Sequence, residues 1–234
     1  MQPIHYIFTR WSVHDPTRFS SFNIGLHSKD KEDYTQKLFN TSRLNARFEF
    51  FEKMTYPSIK NQTCANYEWY IYASTILPNE YKLKLDKFEC SNIKIVYVED
   101  YPSVSHHIRK LLSGKTNFTT MKLDDDDGLA PTFLEKLNFY ASETGKVVTF
   151  PIGMQYTISD NKLVFGGKCE YRNINLGITA IGFDIFSTGN HCSIDQRYKV
   201  IADNTPDMYW VCCSEVCDTK RKFSTSSVSY PLIR

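Results

Sequence analysis

Phe118-Thr119-Thr120-Met121-Lys122-Leu123-Asp124-Asp125-Asp126-Asp127-Gly128-Leu129 runs from an extended segment straight into four consecutive carboxylates. Adjacent carboxylates repel one another and call for a cation. If the chain stays extended, side chains alternate, so Asp124 and Asp126 share one side while Asp125 faces the other. Two hard oxygen donors two residues apart suit Mg2+ or Mn2+, above all when phosphate oxygens complete the shell. A strand end is also where open α/β sheets bind ligands.

Two other readings of the run compete with a metal site. An EF-hand loop needs acidic groups at positions 1, 3 and 5, Gly at 6 and Glu at 12. With Gly128 at position 6, Leu123 and Leu134 fall at positions 1 and 12; starting at Asp124 puts the glycine at position 5. A cap for the following helix needs one or two carboxylates, not four. The metal reading is retained.

Working outward, strand and helix patterns alternate. Ile4–Thr9 reads as an apolar strand and residues 14–36 as a polar loop. Leu44, Phe48, Phe51 and Met54 recur at spacings of three and four, predicting a helix from Ser42 to Thr55 that Tyr56-Pro57 ends. Strand Tyr67–Tyr72, a helix opening at Pro78, strand Ile93–Val98 and a helix from His106 to Leu112 stopped by Gly114 follow. After the aspartates come a helix from Ala130 to Ser142, strand Val147–Phe150, a hairpin over Met154–Phe165 with Gly166-Gly167, strand Ile178–Phe183 and a mixed C-terminal stretch of 45 residues. Repeated β-α-β units predict an α/β fold with a mostly parallel sheet and right-handed crossovers.

Bulk properties agree with one domain: 234 residues, 41% hydrophobic and 15% aromatic. The net charge of +2 carries no bias toward nucleic acid or anionic membrane. No apolar stretch approaches the roughly 18–20 residues of a membrane span, and Met1–His5 lacks a signal-peptide pattern, so the expectation is a cytoplasmic protein. The chain can also be one domain of a longer polypeptide. Seven cysteines at irregular spacing argue for free thiols over a disulfide framework. Cys213-x-x-x-Cys217 is at most half a zinc site.

Three blocks resemble GT-A-fold glycosyltransferases, in particular the rhamnosyltransferase group and family-2 enzymes. Ile7-Phe8-Thr9-Arg10-Trp11-Ser12 is similar to the group's opening strand and turn. Tyr56-Pro57-Ser58-Ile59-Lys60-Asn61-Gln62-Thr63, with Tyr67-Glu68-Trp69 after it, is similar to the Ser-Ile-x-x-Gln-Thr segment of family 2. Lys122–Leu129 is similar to an Arg-Leu-Asp-Asp-Asp-Asp-Ala-Leu block. The chain departs from the pattern at Tyr72-Ala73-Ser74, where family-2 enzymes place a base-reading aspartate, and at Lys122, which keeps charge but loses the guanidinium fork. Nothing after residue 150 carries the resemblance.

The resemblance implies a single GT-A domain, with about 1–150 binding nucleotide-sugar and metal and about 151–234 facing the acceptor. The implied activity is metal-dependent, inverting transfer from a UDP- or dTDP-sugar, rhamnose among the candidates, to a glycan or glycoconjugate. Mn2+ or Mg2+ would contact Asp126, with Asp124 holding ribose or a metal-bound water and Asp127 as a second contact. Asp218 or His191 would supply a C-terminal metal ligand. Thr9, Arg10, Arg109, Lys122, Asp124 and Asp125 are the expected donor-binding residues. By chain order Asp195 is the nearest candidate for the base that deprotonates the acceptor, with Asp184 and Asp203 as rivals. Tyr156, Phe165, Tyr171 and Trp210 can stack on sugar rings or fill the core. Competing readings are a nucleotidyltransferase, which normally carries a glycine-rich basic loop where Thr9–His14 stands, and a non-catalytic metal- or sugar-binding domain.

Overall fold

The computed structural model describes residues 2–17 and 23–214. Four strands, β1 (Ile4–Trp11), β2 (Tyr67–Ser74), β3 (Ile93–Val98) and β4 (Phe118–Lys122), lie parallel in the order β3-β2-β1-β4. β1, β2 and β4 are buried almost residue by residue, because helices cover both faces of a parallel sheet. Among the described residues between β1 and β2 lie α1 (Asn23–Leu26), α2 (Lys31–Leu38), α3 (Thr41–Phe50) and α4 (Tyr56–Lys60). Helix α5 (Asn79–Asp86) joins β2 to β3, and α6 (Tyr101–Leu112) joins β3 to β4.

Beyond the aspartates the chain forms β5 (Gly128–Leu129), α7 (Phe133–Leu137), β6 (Val147–Thr149), β7 (Ile152–Ser159), β8 (Lys162–Glu170), β9 (Thr179–Ile181), β10 (Val200–Ala202) and β11 (Tyr209–Cys212). β9 pairs antiparallel with both β4 and β6, and β10 lies parallel to β6, which completes a seven-stranded sheet. A second, four-stranded sheet runs β5-β11-β7-β8. Two strands thus leave the acidic run in different sheets, and the run is the seam between them.

The α/β reading and the mostly parallel sheet hold; two local expectations do not. Residues 14–36 are not a continuous loop: α2 forms with Asp30 capping it by accepting from the Asp33 amide at 2.8 Å. Only Tyr34 and Leu38 of this helix are buried, too few apolar positions to show a helical period. Pro57 does not end the preceding helix either. Phe51–Thr55 is a π-turn that shifts the bonding by one residue and delivers Pro57 to the first turn of α4, where a missing N–H is harmless. The expected hairpin over Met154–Phe165 forms from β7 and β8, turning at Asp160 and Asn161, both with positive φ, with Gly166-Gly167 inside β8.

His5 in β1 is fully buried, its ring nitrogens 2.8 Å from Thr119 Oγ1 and 3.2 Å from Asn138 Oδ1. Burial lowers its pKa to about 4, against a smaller opposing pull from Asn138. The folded protein therefore takes up the proton later than the unfolded chain as pH falls. Between about pH 6.5 and 4, stability should drop by about 3 kcal/mol from this group alone. In urea titrations across that window, His5→Gln should show a flatter decline than the wild type.

Candidate active site

The acidic run is a turn, not an extension of β4. The strand ends at Lys122, and the Asp127 amide donates to the Asp124 carbonyl at 3.3 Å. Period-two alternation therefore does not apply, and the expected split of Asp124 and Asp126 from Asp125 is replaced by another. Asp125 and Asp126 both turn toward Arg47 of α3, whose Nε donates to Asp125 Oδ2 at 3.0 Å. Its Nη2 pairs with Asp125 Oδ1, and its Nη1 lies 3.4 Å from Asp126 Oδ2. Asp125 is 1% exposed, so this expected donor-binding residue is committed to the guanidinium inside the protein. Asp127 accepts from the Cys212 amide of β11 at 2.9 Å, and Tyr156 of β7 donates its hydroxyl to the Asp126 carbonyl. The second sheet thus grips the far end of the turn.

The blocks that are separate in sequence meet beneath this turn. Trp69 donates its indole N–H to Thr9 Oγ1 at 2.9 Å, so the Thr9 hydroxyl is buried and engaged instead of facing a donor. Gln62 donates to the Ala130 carbonyl at 2.7 Å and accepts from the Leu134 amide at 3.0 Å, while the Thr63 amide donates to the Pro131 carbonyl at 2.9 Å. These bonds fix the chain as it leaves the acidic turn.

Two open regions flank the turn. On one side Arg10, at the carboxyl end of β1, sits with Arg43, Arg47, Tyr34 and Tyr101 around a cavity of about 70 Å³. The Arg10 guanidinium lies 4.9 Å from the Tyr101 ring centre and 5.3 Å from that of Phe186. Lys122 approaches the same Phe186 ring at 4.9 Å. Burial lowers the Lys122 pKa to about 8, and Arg10 pushes the same way, while Asp124 and Asp184 oppose them. Asp184 is raised above the usual carboxylate range by burial, against the Phe186 amide, Lys122 and Arg109. It caps the short 3-10 turn Ile185–Thr188 by accepting from Phe186 N at 2.8 Å. Arg109 is exposed on α6 and donates to the Ser105 carbonyl.

On the other side lies a cavity of about 610 Å³ lined by Asp124, Tyr171, Arg172, Asn173, Asn175, His191, Cys192 and Asp195, among others. The first aspartate of the run and the expected base share its walls. Asp195 sits on the 3-10 segment His191–Gln196, with Arg172 Nη2 at 3.3 Å from its Oδ2. Asn175 reaches Asp124 Oδ2 at 3.5 Å. Asp203 lies elsewhere, held by Thr205, by the Tyr140 hydroxyl at 2.5 Å and by Lys136 at 3.4 Å. Burial alone would raise its pKa, but these partners bring it below the ordinary value. As a base it is occupied. Asp218 and Cys217 lie outside the described residues. Of the four aromatics singled out, Tyr156 and Trp210 are buried, and Tyr171 is exposed at the cavity.

Among the described residues, no three His, Cys, Asp or Glu side chains converge into a metal cage. Asp124 offers a hard oxygen donor to the large cavity while Asp126 faces Arg47, so a divalent cation at Asp124 would take most of its shell from phosphate and water. Sequence reasoning missed Arg47. Its signal was a lone cation in the apolar stripe between Leu44, Phe48 and Phe51. Arg172, Asn173 and Asn175 gave no pattern before the fold placed them.

The sheet order, the strand-end acidic turn and the mixed second sheet define a GT-A-type fold. The chain belongs to the family described as "Putative rhamnosyl transferase", which matches residues 14–225. Among solved structures, that of S. aureus TarS 1-349 in complex with UDP-GlcNAc matches at 10% identity with a TM-score of 0.51, covering 97% of this chain and 62% of that one. TarS 1-349 in complex with UDP gives 9% identity and a TM-score of 0.48, covering 90% and 61%. The chain therefore spans about three-fifths of the TarS portion it matches. No curated protein sequence matches it. None of the described helices is long and apolar enough to cross a membrane.

Removing Arg47 leaves Asp125 buried without its counter-charge, the costly half of a broken buried pair. Arg47→Met should lower unfolding free energy by about 3–5 kcal/mol in denaturant titrations. Arg47→Lys should recover part of the loss, since it keeps the charge without the fork.

Proposed function

We propose that this chain is a glycosyltransferase that moves a sugar from a nucleotide-sugar to a hydroxyl of a glycan acceptor with inversion. One observation carries the reading. Asp124 of the acidic turn and Asp195, 71 residues later by their numbers (195 − 124), line the same cavity. A donor held at the turn would thus present its sugar to a carboxylate able to take the acceptor proton. Membership of the rhamnosyl transferase family supports sugar transfer, and the UDP-GlcNAc complex of TarS shows that a protein of similar fold binds a nucleotide-sugar. Rhamnose as the transferred sugar rests on the family description alone.

In this reading Arg10 and Lys122 receive the diphosphate at the carboxyl ends of β1 and β4, with Arg109 adding charge from α6. Aromatic rings under Arg10 and Lys122 keep both cations near the turn. Asp124 would hold Mn2+ or Mg2+ at the cavity whose wall His191 shares, and Asp126 would join it by turning from Arg47. When bound, that ion supplies positive charge where the leaving diphosphate becomes more negative. Arg172 orients Asp195, whose carboxylate accepts the acceptor hydroxyl proton as the sugar is transferred.

Incubation with UDP- and dTDP-sugars and Mn2+ should reveal slow hydrolysis of one donor, and that donor should raise the melting temperature. Asp195→Asn should slow transfer roughly 100- to 10,000-fold while donor binding stays intact. Asp126→Ala should weaken both binding and turnover, and EDTA should mimic it. If no nucleotide-sugar either stabilises the protein or is consumed, with or without Mn2+, the reading fails. A donor that binds but is never hydrolysed or transferred would mark a non-catalytic sugar-binding domain instead.

A further inference from the structure

We infer that the segment Tyr171–Asn175 is a recognition strap for an uncharged pyranose ring, an inference that rests on the glycosyltransferase reading for its place in the reaction but not for the binding itself. The strap leaves β8 at Glu170 and reaches β9 at Thr179. It is pegged at both ends of its polar stretch. The Tyr171 amide donates to the Pro151 carbonyl at 2.9 Å, and Ile174 and Leu176 are buried in the core. Gly177 then turns with φ +69°, where an added Cβ would lie 2.7 Å from the Phe133 ring. Between these anchors Tyr171, Asn173 and Asn175 line the large cavity together with Asp124 and Asp195.

The chemistry of this wall selects its ligand. Tyr171 is 43% exposed at the cavity, offering a ring face that suits the apolar face of a sugar. Asn173 Oδ1 is shut off from solvent and has no hydrogen-bond partner among the described residues. An orphaned buried acceptor is costly until a donor reaches it. The terminal torsion of asparagine is soft, so a small rotation turns that amide to a hydroxyl in the cavity. Asn175 is already seated on Asp124. An anionic ligand fits poorly here. Arg172 is paired with Asp195, and Asp124 adds negative charge, whereas the basic side of the turn lies at Arg10 and Lys122. Amides, a carboxylate and an aromatic face are complementary to neutral vicinal hydroxyls. The volume of about 610 Å³ lies within the ordinary range for small-molecule sites, roughly 300–1,000 Å³.

A pyranose can arrive on the donor or on the acceptor, and two titrations separate the sources. In the first, methyl glycosides of rhamnose, glucose and galactose are titrated into the full chain saturated with UDP and Mn2+, read by saturation-transfer NMR. In the second, the affinity gained by dTDP-rhamnose or UDP-glucose over the bare nucleotide is measured by calorimetry. Tyr171→Ala and Asn173→Ala should each weaken one of these by about tenfold, with Tyr171→Phe near wild type and UDP affinity unchanged as the check on folding. Loss in the glycoside titration assigns the strap to the acceptor; loss of the sugar-dependent gain assigns it to the donor. The inference is overturned if the wild type shows neither a glycoside signal nor a sugar-dependent gain, or if both survive within about twofold in both variants. Failure of UDP and its sugars to bind the wild type would instead sink the glycosyltransferase reading. The glycoside titration, repeated without nucleotide, then still decides whether the strap binds a sugar.

Discussion

The grip of Arg47 on Asp125 and Asp126 is the interaction that lets this structure exist in its present form. Four carboxylates in a row at the end of a parallel strand repel one another, and Asp125 is placed where almost no water reaches it. A buried ion pair is a poor source of net stability, but it is a strong constraint on geometry once the charges are inside. Here the guanidinium fork makes two contacts with Asp125 and a longer one with Asp126. It ties helix α3 to the turn after β4, across the top of β1. Asp124 is the least buried of the four, and it lines the large cavity.

That constraint divides the molecule chemically. To one side of the turn stand Arg10, Arg43 and Lys122 with aromatic rings beside them, an environment suited to phosphate and a flat base. To the other stand Asp124, Asp195 and amides, an environment suited to hydroxyls. A single ligand that is anionic at one end and hydroxylated at the other would span the turn. The second sheet makes the arrangement rigid, since Tyr156 and the Cys212 amide hold the carbonyl of Asp126 and the carboxylate of Asp127. The Gln62 and Thr63 bonds to the 130–135 segment hold the chain just beyond.

Much of the scaffold was legible in sequence because its cause is local. Strands β1 to β3 are rich in apolar and aromatic residues and β4 in β-branched threonines between Phe118 and Met121, and each is followed by a helical period or a turn signal. Misreadings arose where a local signal had more than one physical solution. Pro57 usually stops a helix, yet a π-turn over Phe51–Thr55 places it where its missing N–H costs nothing. Thr9 sits at a strand end suited to ligands, yet its hydroxyl is claimed by Trp69 from the neighbouring strand.

Sequence alone determined the strands β1 to β4, their order along the chain and the position of four aspartates at a strand's carboxyl end, because hydrophobic period and residue chemistry act over a few neighbours. It did not determine which aspartate faces open space. That depended on Arg47, 78 residues before Asp125 by their numbers (125 − 47) and in the second turn of a helix that only packing brings to the acidic turn. Likewise the meeting of Asp124 with Asp195 and the Tyr171–Asn175 strap is a product of the second half folding back along β9 and β11. Local chemistry says what each side chain can do, but charge pairing and burial act through space, and only the tertiary structure sets those distances.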